Sequence, residues 1–251
     1  FENSIARYLE KHGHPNIQLK AVLFDMDGVL FNSMPYHADA WQKVMERHGL
    51  HLSREEAYMH EGRTGASTIN IVYQRQYGKD ATPEMIESIY AEKAPNSVAQ
   101  PGTGTYAGCL GNTAKGKSGR TYSGTCHRFG PTLPAEPPCP QLSPGMFQRD
   151  HMVTAFDVKY GKPILTLFDG TGKKAGVQAN EAIVVENAPI GVQAGTAAGI
   201  FTVAVNTGPL DRQVLLDAGA DLLFPSMQAL CDDWERLQTA LDASNSLRHK
   251  D

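Results

Sequence analysis

Asp25-Met26-Asp27-Gly28 brings together the residue types that carboxylate chemistry needs, at a usable spacing. Two carboxylates at i and i+2 on an extended segment point the same way, and a glycine lets the chain bend away behind them. One carboxylate can then attack an electrophile while the other handles protons. A bare Asp-x-Asp is as readily a helix cap or a solvated turn, so its surroundings decide. Ala21 to Phe24 runs straight into it as a continuous apolar stretch, the pattern of a strand buried on both faces. Open α/β sheets place their ligands just beyond such strand ends.

The elements that would hold these residues follow from periodicity. Ile5, Tyr8 and Leu9 have helical spacing, so a short helix precedes the strand. From Pro35 to about Ala94 the pattern is helical throughout. Ala40, Trp41, Val44 and Met45 form one stripe, Ser53 with Glu56 forms a capping box, and Thr82-Pro83 starts a helix that uses Met85, Ile86, Ile89 and Tyr90. Beyond residue 180 the text alternates. Residues 181–186 predict a strand, 189–199 a helix, 200–205 a strand, 210–219 a helix, 221–224 a strand and 227–241 a final helix. That alternation predicts an α/β fold, a doubly wound parallel sheet, with an α-helical cap domain inserted after the first strand. The expected divisions are an N-terminal helix at 1–17, a core at 18–34 and 99–238, a cap at 35–98 and a polar tail at 239–251.

The chain has 251 residues, with 27 acidic and 23 basic side chains and a net charge of -4. That balance gives no reason to expect nucleic acid or an anionic membrane as partner, since both reward clustered Lys and Arg. No apolar run approaches the roughly 20 residues that span a bilayer. Four cysteines do not make a disulfide scaffold, so reduced thiols, a cytoplasmic location and a monomer are expected.

FDMDGVL, residues 24–30, resembles the first motif of the haloacid dehalogenase superfamily, and within it the β-phosphoglucomutase-like branch with a helical cap. The resemblance covers about 20 to 100 and 146 to 235. It implies that Asp25 is the nucleophile that forms an aspartyl-phosphate, and that Asp27 is the general acid/base, with its backbone carbonyl on Mg²⁺. IVVENAPIGVQAG, residues 183–195, is similar to the fourth motif, which makes Glu186 and Asn187 metal residues beside Asp25 and Asp27. Asn187 supplies a neutral oxygen where Asp is commoner, so the cation should bind more weakly. Read without the family, Asn187 is a helix N-cap ahead of Pro189. KYGKP, residues 159–163, resembles the third motif, with Lys162 neutralising the transferring phosphoryl group. YHADAW, residues 36–41, resembles the mutase branch, where the residue matching His37 aligns the acid/base. Trp41, Gly62, Arg63 and Thr64 are the expected substrate contacts in the cap, with Arg63 on a distal phosphate.

The second motif, a strand ending in Ser or Thr, is missing from its place. Residues 102–145 contain no Val, Ile, Met or Asp and are rich in Gly and Pro, which argues against a buried central strand. Ser123 or Thr125 is the available stand-in for the absent hydroxyl. Read one nucleotide out of frame from Gly104, synonymous codons spell an amphipathic helix, an apolar strand ending in VTGSG and a second helix, rejoining the frame at Pro144. Compensated frameshifts would explain the interval, which is then expected to pack poorly. The resulting expectation is Mg²⁺-dependent phosphoryl transfer on a small phosphorylated sugar by a mutase. The alternatives are a sugar phosphatase and a catalytically impaired descendant.

Overall fold

In the computed structural model the described residues are 1–96, 121–126, 153–154, 168, 173 and 176–244. The strands are β1 (Ala21–Phe24), β2 (Thr121–Cys126), β3 (Val153–Thr154), β4 (Ala182–Glu186), β5 (Phe201–Val205) and β6 (Leu222–Phe224). They form one sheet in the order β3-β2-β1-β4-β5-β6, with every neighbouring pair parallel. This is the doubly wound order, whose direction of winding reverses between β1 and β4, and the crevice at that reversal is where such sheets bind ligands.

The sheet is apolar on both faces, which explains why its strands read as continuous runs. Val22, Phe24, Ile183, Val185, Phe201 and Val203 share one buried cluster with Ile5 and Tyr8 of α1 (Glu2–His12) and with Trp234, Leu237 and Leu241 of α9 (Trp234–Ala243). Ala21, Leu23, Ala182 and Val184 alternate to the opposite face, against Ala194 of α6 (Pro189–Ala197). The Tyr8 hydroxyl fastens α1 by donating to the Gly199 carbonyl at 2.8 Å. Two further core helices are α7 (Arg212–Asp217) and α8 (Met227–Asp232).

Between β1 and β2 lie α2 (Met34–Arg47), α3 (Arg54–Met59), α4 (Gly65–Tyr77) and α5 (Pro83–Asn96). They bury a cluster of their own that includes Met45, Leu50, Tyr58, Ile69, Val72 and Ile89, and Leu210 reaches into it from the loop after β5. The Ser53–Glu56 capping box forms as expected, with both reciprocal hydrogen bonds present.

Four features differ from the sequence reading. The interval thought unable to supply a central strand contributes β2, paired with β1 from Ala21↔Thr121 to Phe24↔Gly124. The pairing runs through backbone groups, which TYSGTC carries as well as any aliphatic run. The rest of 102–145 lies outside the described residues. The final helix is broken at Asp233 into α8 and α9. The polar tail begins later than 239, because α9 continues to Ala243 and Ser244 Oγ accepts from the Ile17 amide at 3.1 Å. Cys231 in α8 is disulfide-bonded, not a free thiol. Among the described residues, no helix is long and apolar enough to cross a membrane.

Candidate active site

The apolar β1 ends in Asp25, which is 1% exposed. Its amide donates to the Val185 carbonyl at 2.9 Å, so Asp25 stands beside the tip of β4. In β2, Thr125 follows the Phe24↔Gly124 pair and takes the register position next to Asp25 on the other side. The chain then turns tightly. Met26 O accepts from the Leu30 and Phe31 amides at 2.9 and 3.0 Å, and the Gly28 amide donates to Phe31 O at 2.7 Å. Gly28 has φ 85°, a left-handed conformation that costs other residues strain. The Thr207 hydroxyl, in the loop after β5, pins this turn by donating to the Gly28 carbonyl at 2.7 Å.

Gly28 is also where Asn187 approaches. A Cβ at Gly28 would lie 2.2 Å from Asn187 Nδ2. Gly28→Ala therefore combines backbone strain with a clash, costing roughly 1–3 kcal/mol and lowering the melting temperature by roughly 2 to 12 °C. Differential scanning calorimetry checks this, and an unchanged melting temperature would contradict it.

Asp27 is held from the cap side by two partners. Ser33 Oγ donates to Asp27 Oδ1 at 2.5 Å, and His37 Nε2 lies 3.6 Å from the same oxygen. Behind His37, Lys93 Nζ of α5 sits 3.3 Å from Nδ1. A charged lysine has only donors, so Nδ1 is the acceptor and the imidazole proton is on Nε2, facing Asp27. Lys93 is 7% exposed and lies 5.0 Å from the Trp41 ring centroid. Burial pushes its pKa down to about 8, with the Asp27 charge acting in the opposite direction.

At the tip of β4 the two expected metal residues part ways. Glu186 Oε2 accepts from the amides of Asn187 and Ala188 at 2.7 and 2.8 Å, so that oxygen is turned to the start of α6. Gly191 makes room for it, since a Cβ there would lie 1.8 Å from Glu186 Oε1. The N-cap is Ala188, with no side-chain cap bond, so Asn187 is not the helix cap its sequence context allowed. Asn187 Nδ2 donates to Glu61 Oε2 in the cap at 3.1 Å, while its Oδ1 is buried with no hydrogen-bond partner.

The expected ligands are the Asp25 and Glu186 carboxylates, the Asn187 amide oxygen and the Asp27 backbone carbonyl. Among the described residues, no three His, Cys, Asp or Glu side chains stand at metal-ligand spacing. Ser33 and His37 draw Asp27 toward the cap, and the α6 amides draw Glu186. A buried carbonyl oxygen without a donor nevertheless suits a hard cation. Asn187 Oδ1, beside the strand tip that carries Asp25, fits such a role.

The cap loop places its expected residues unequally. Gly62 has φ 85°, and the Thr64 hydroxyl caps α4 by accepting from the Ser67 amide at 3.2 Å. Arg63 Nε is buried with no hydrogen-bond partner, as is His60 Nδ1. Burial first, and the Arg63 charge second, hold His60 below the ordinary histidine range. Trp41 lies against Lys93, and Lys162 falls outside the described residues.

Ser33, Glu61, Lys93 and Thr207 join the site without having been singled out from sequence. A signal existed for Lys93, which follows Ile86 and Ile89 at spacings of seven and four, on the buried face of α5. Ser33 announces itself only as a residue in helix N-cap position, and Thr207 only by following a strand tip.

A doubly wound sheet with Asp-x-Asp-Gly at the tip of a central strand, an acid-amide pair at the neighbouring tip and helices inserted over both defines a haloacid-dehalogenase-type enzyme core. No family model matches the sequence. The chain is 30% identical over 216 residues to hexitol phosphatase A of Escherichia coli, covering 85% of this chain and 94% of that protein. A Bacteroides vulgatus structure provisionally named a β-phosphoglucomutase superposes with TM-score 0.85 at 51% identity, over 96% of this chain and 97% of that one. A HAD hydrolase of family IA from Entamoeba histolytica shares the fold, with TM-score 0.66 at 19% identity over 90% of this chain and 99% of that one. The chain belongs to the haloacid dehalogenase superfamily, with β-phosphoglucomutase-like relatives, and is an enzyme of that superfamily.

Proposed function

We propose that the protein transfers a phosphoryl group on a small phosphorylated sugar through an aspartyl-phosphate at Asp25. The observation that carries this reading is the line Lys93–His37–Asp27, with Ser33 on the same carboxylate, set two residues from a buried aspartate at a strand tip. Asp25 attacks phosphorus. Asp27, oriented by Ser33 and His37, gives its proton to the leaving sugar oxygen and later takes one from the accepting hydroxyl. Thr125, by its register beside Asp25, is the candidate for the second-motif hydroxyl. Lys162 is the candidate counter-charge, and Arg63, Gly62, Thr64 and Trp41 line the sugar side.

The cofactor of this reading is Mg²⁺, which supplies charge neutralisation between two anions. Asp25 and Asn187 would be its side-chain ligands and Asp27 would contribute its backbone carbonyl. Glu186 steadies the strand tip rather than adding a second full charge.

Mutase and phosphatase differ in what relieves Asp25 of the phosphoryl group, a sugar hydroxyl or water. The His37 arrangement and the Bacteroides vulgatus relative favour the mutase. The hexitol phosphatase relative favours the hydrolase. A coupled assay with β-glucose 1-phosphate, run beside inorganic phosphate release, separates them. The mutase reading expects glucose 6-phosphate to form faster than phosphate appears. Phosphate release alone overturns it in favour of the hydrolase.

A further inference from the structure

Asn187 differs from a carboxylate in one respect that matters here, because its two ends are not equivalent. If Oδ1 is to meet a cation, something must decide which way the amide faces. Gly28 lies close on one side, where a Cβ would be 2.2 Å from Nδ2. On the other side Glu61 Oε2 accepts from Nδ2 at 3.1 Å. Rotating the amide by half a turn would set Oδ1 against Glu61 Oε2, two acceptors at hydrogen-bond distance with no proton between them. Oδ1 is left buried and without a hydrogen-bond partner.

We propose that Glu61 is a positioning residue for Asn187: its carboxylate takes the amide nitrogen, so that the amide oxygen stays turned to the cation position beside Asp25. The inference rests on the proposed function through the cation, and adds to it a reason for amide and glutamate to occur together. An aspartate at 187 would have no amide to orient and would stand against the Glu61 carboxylate as a second negative charge. Glu61 also belongs to the cap, so the amide is oriented only while the cap loop rests on the core.

The test is Mg²⁺ affinity of the full chain by isothermal titration calorimetry, without substrate, in a double-mutant cycle. Glu61→Ala is expected to weaken Mg²⁺ binding by about 10-fold, as removing an outer partner of a metal ligand commonly does. Glu61→Gln keeps one acceptor but also offers an amide that tolerates the rotated form, so it falls between Glu61→Ala and the parent. In the Asn187→Asp background there is no amide to orient, so Glu61→Ala is expected to cost clearly less Mg²⁺ affinity than in the parent. A role in folding, or through charge alone, would cost the same in both backgrounds, and thermal melts of all variants check that each is folded. Equal Mg²⁺ affinity in parent and Glu61→Ala, or an equal loss of affinity in both backgrounds, overturns the proposal and leaves the proposed function standing. A folded parent that binds no Mg²⁺ overturns both.

Discussion

Asp25→Asn is expected to abolish phosphoryl transfer while leaving the protein folded. The substitution keeps size and shape at a position 1% exposed between the tips of β4 and β2, so packing is preserved. What it removes is the proposed nucleophile, since an amide oxygen carries neither the charge nor the basicity to attack phosphorus. Losing a nucleophile that acts as a unit with its acid/base commonly costs on the order of 10⁴- to 10⁶-fold in kcat. Hydrolysis of p-nitrophenyl phosphate with Mg²⁺ reads the loss, and circular dichroism reports retention of fold. Equal rates in parent and variant would mean that the observed turnover does not pass through Asp25.

The second large effect belongs to Lys93. Its ammonium is buried behind His37 and holds Nδ1 as an acceptor, and through His37 it fixes the proton that faces Asp27. With the pKa pushed down to about 8 by burial, Lys93 loses its charge in an accessible range, and His37 can then exchange tautomers. Turnover is expected to fall as pH rises through about 8, and Lys93→Met is expected to lose that limb of the profile along with roughly 10²-fold in kcat. Stability moves the other way. A lysine whose folded pKa lies below its ordinary value of 10.5 penalises folding fully below about pH 8. The penalty is relieved between there and 10.5, where the unfolded chain holds the extra proton. Denaturant melts of the parent across this range should therefore show a gain in stability that Lys93→Met lacks. A pH–rate profile identical in parent and variant would contradict the role given to Lys93.

Much of this arrangement was legible in the residues because burial leaves a mark. β1, β4 and β5 lie in the sheet interior, covered on both faces, and read as unbroken apolar runs for that reason. The Asp-x-Asp-Gly turn stood out because a glycine and two acids do not otherwise follow such a run. β2 left no such mark. Thr121–Cys126 has no aliphatic residue, and its neighbour β1 supplies the backbone pairing that its own composition does not predict. Lys93 was hidden by its type, since a lysine on a helix is ordinarily solvated and only its place on the Ile86–Ile89 face says otherwise. Glu186 was placed in the right neighbourhood, but spacing could not show that the amides of Asn187 and Ala188 would compete for one of its oxygens. Contacts between cap and core, such as Glu61 on Asn187, join residues 126 positions apart and leave no trace in local pattern.

The claim on which all of this depends is that Asp25 becomes phosphorylated. Incubating the full chain with Mg²⁺ and acetyl phosphate, then reducing with borohydride, converts an aspartyl-phosphate to homoserine, which peptide mass spectrometry locates. The account predicts homoserine at position 25 in the parent and none in Asp25→Asn. A label at another carboxylate, or sustained turnover with position 25 unmodified throughout, would contradict it.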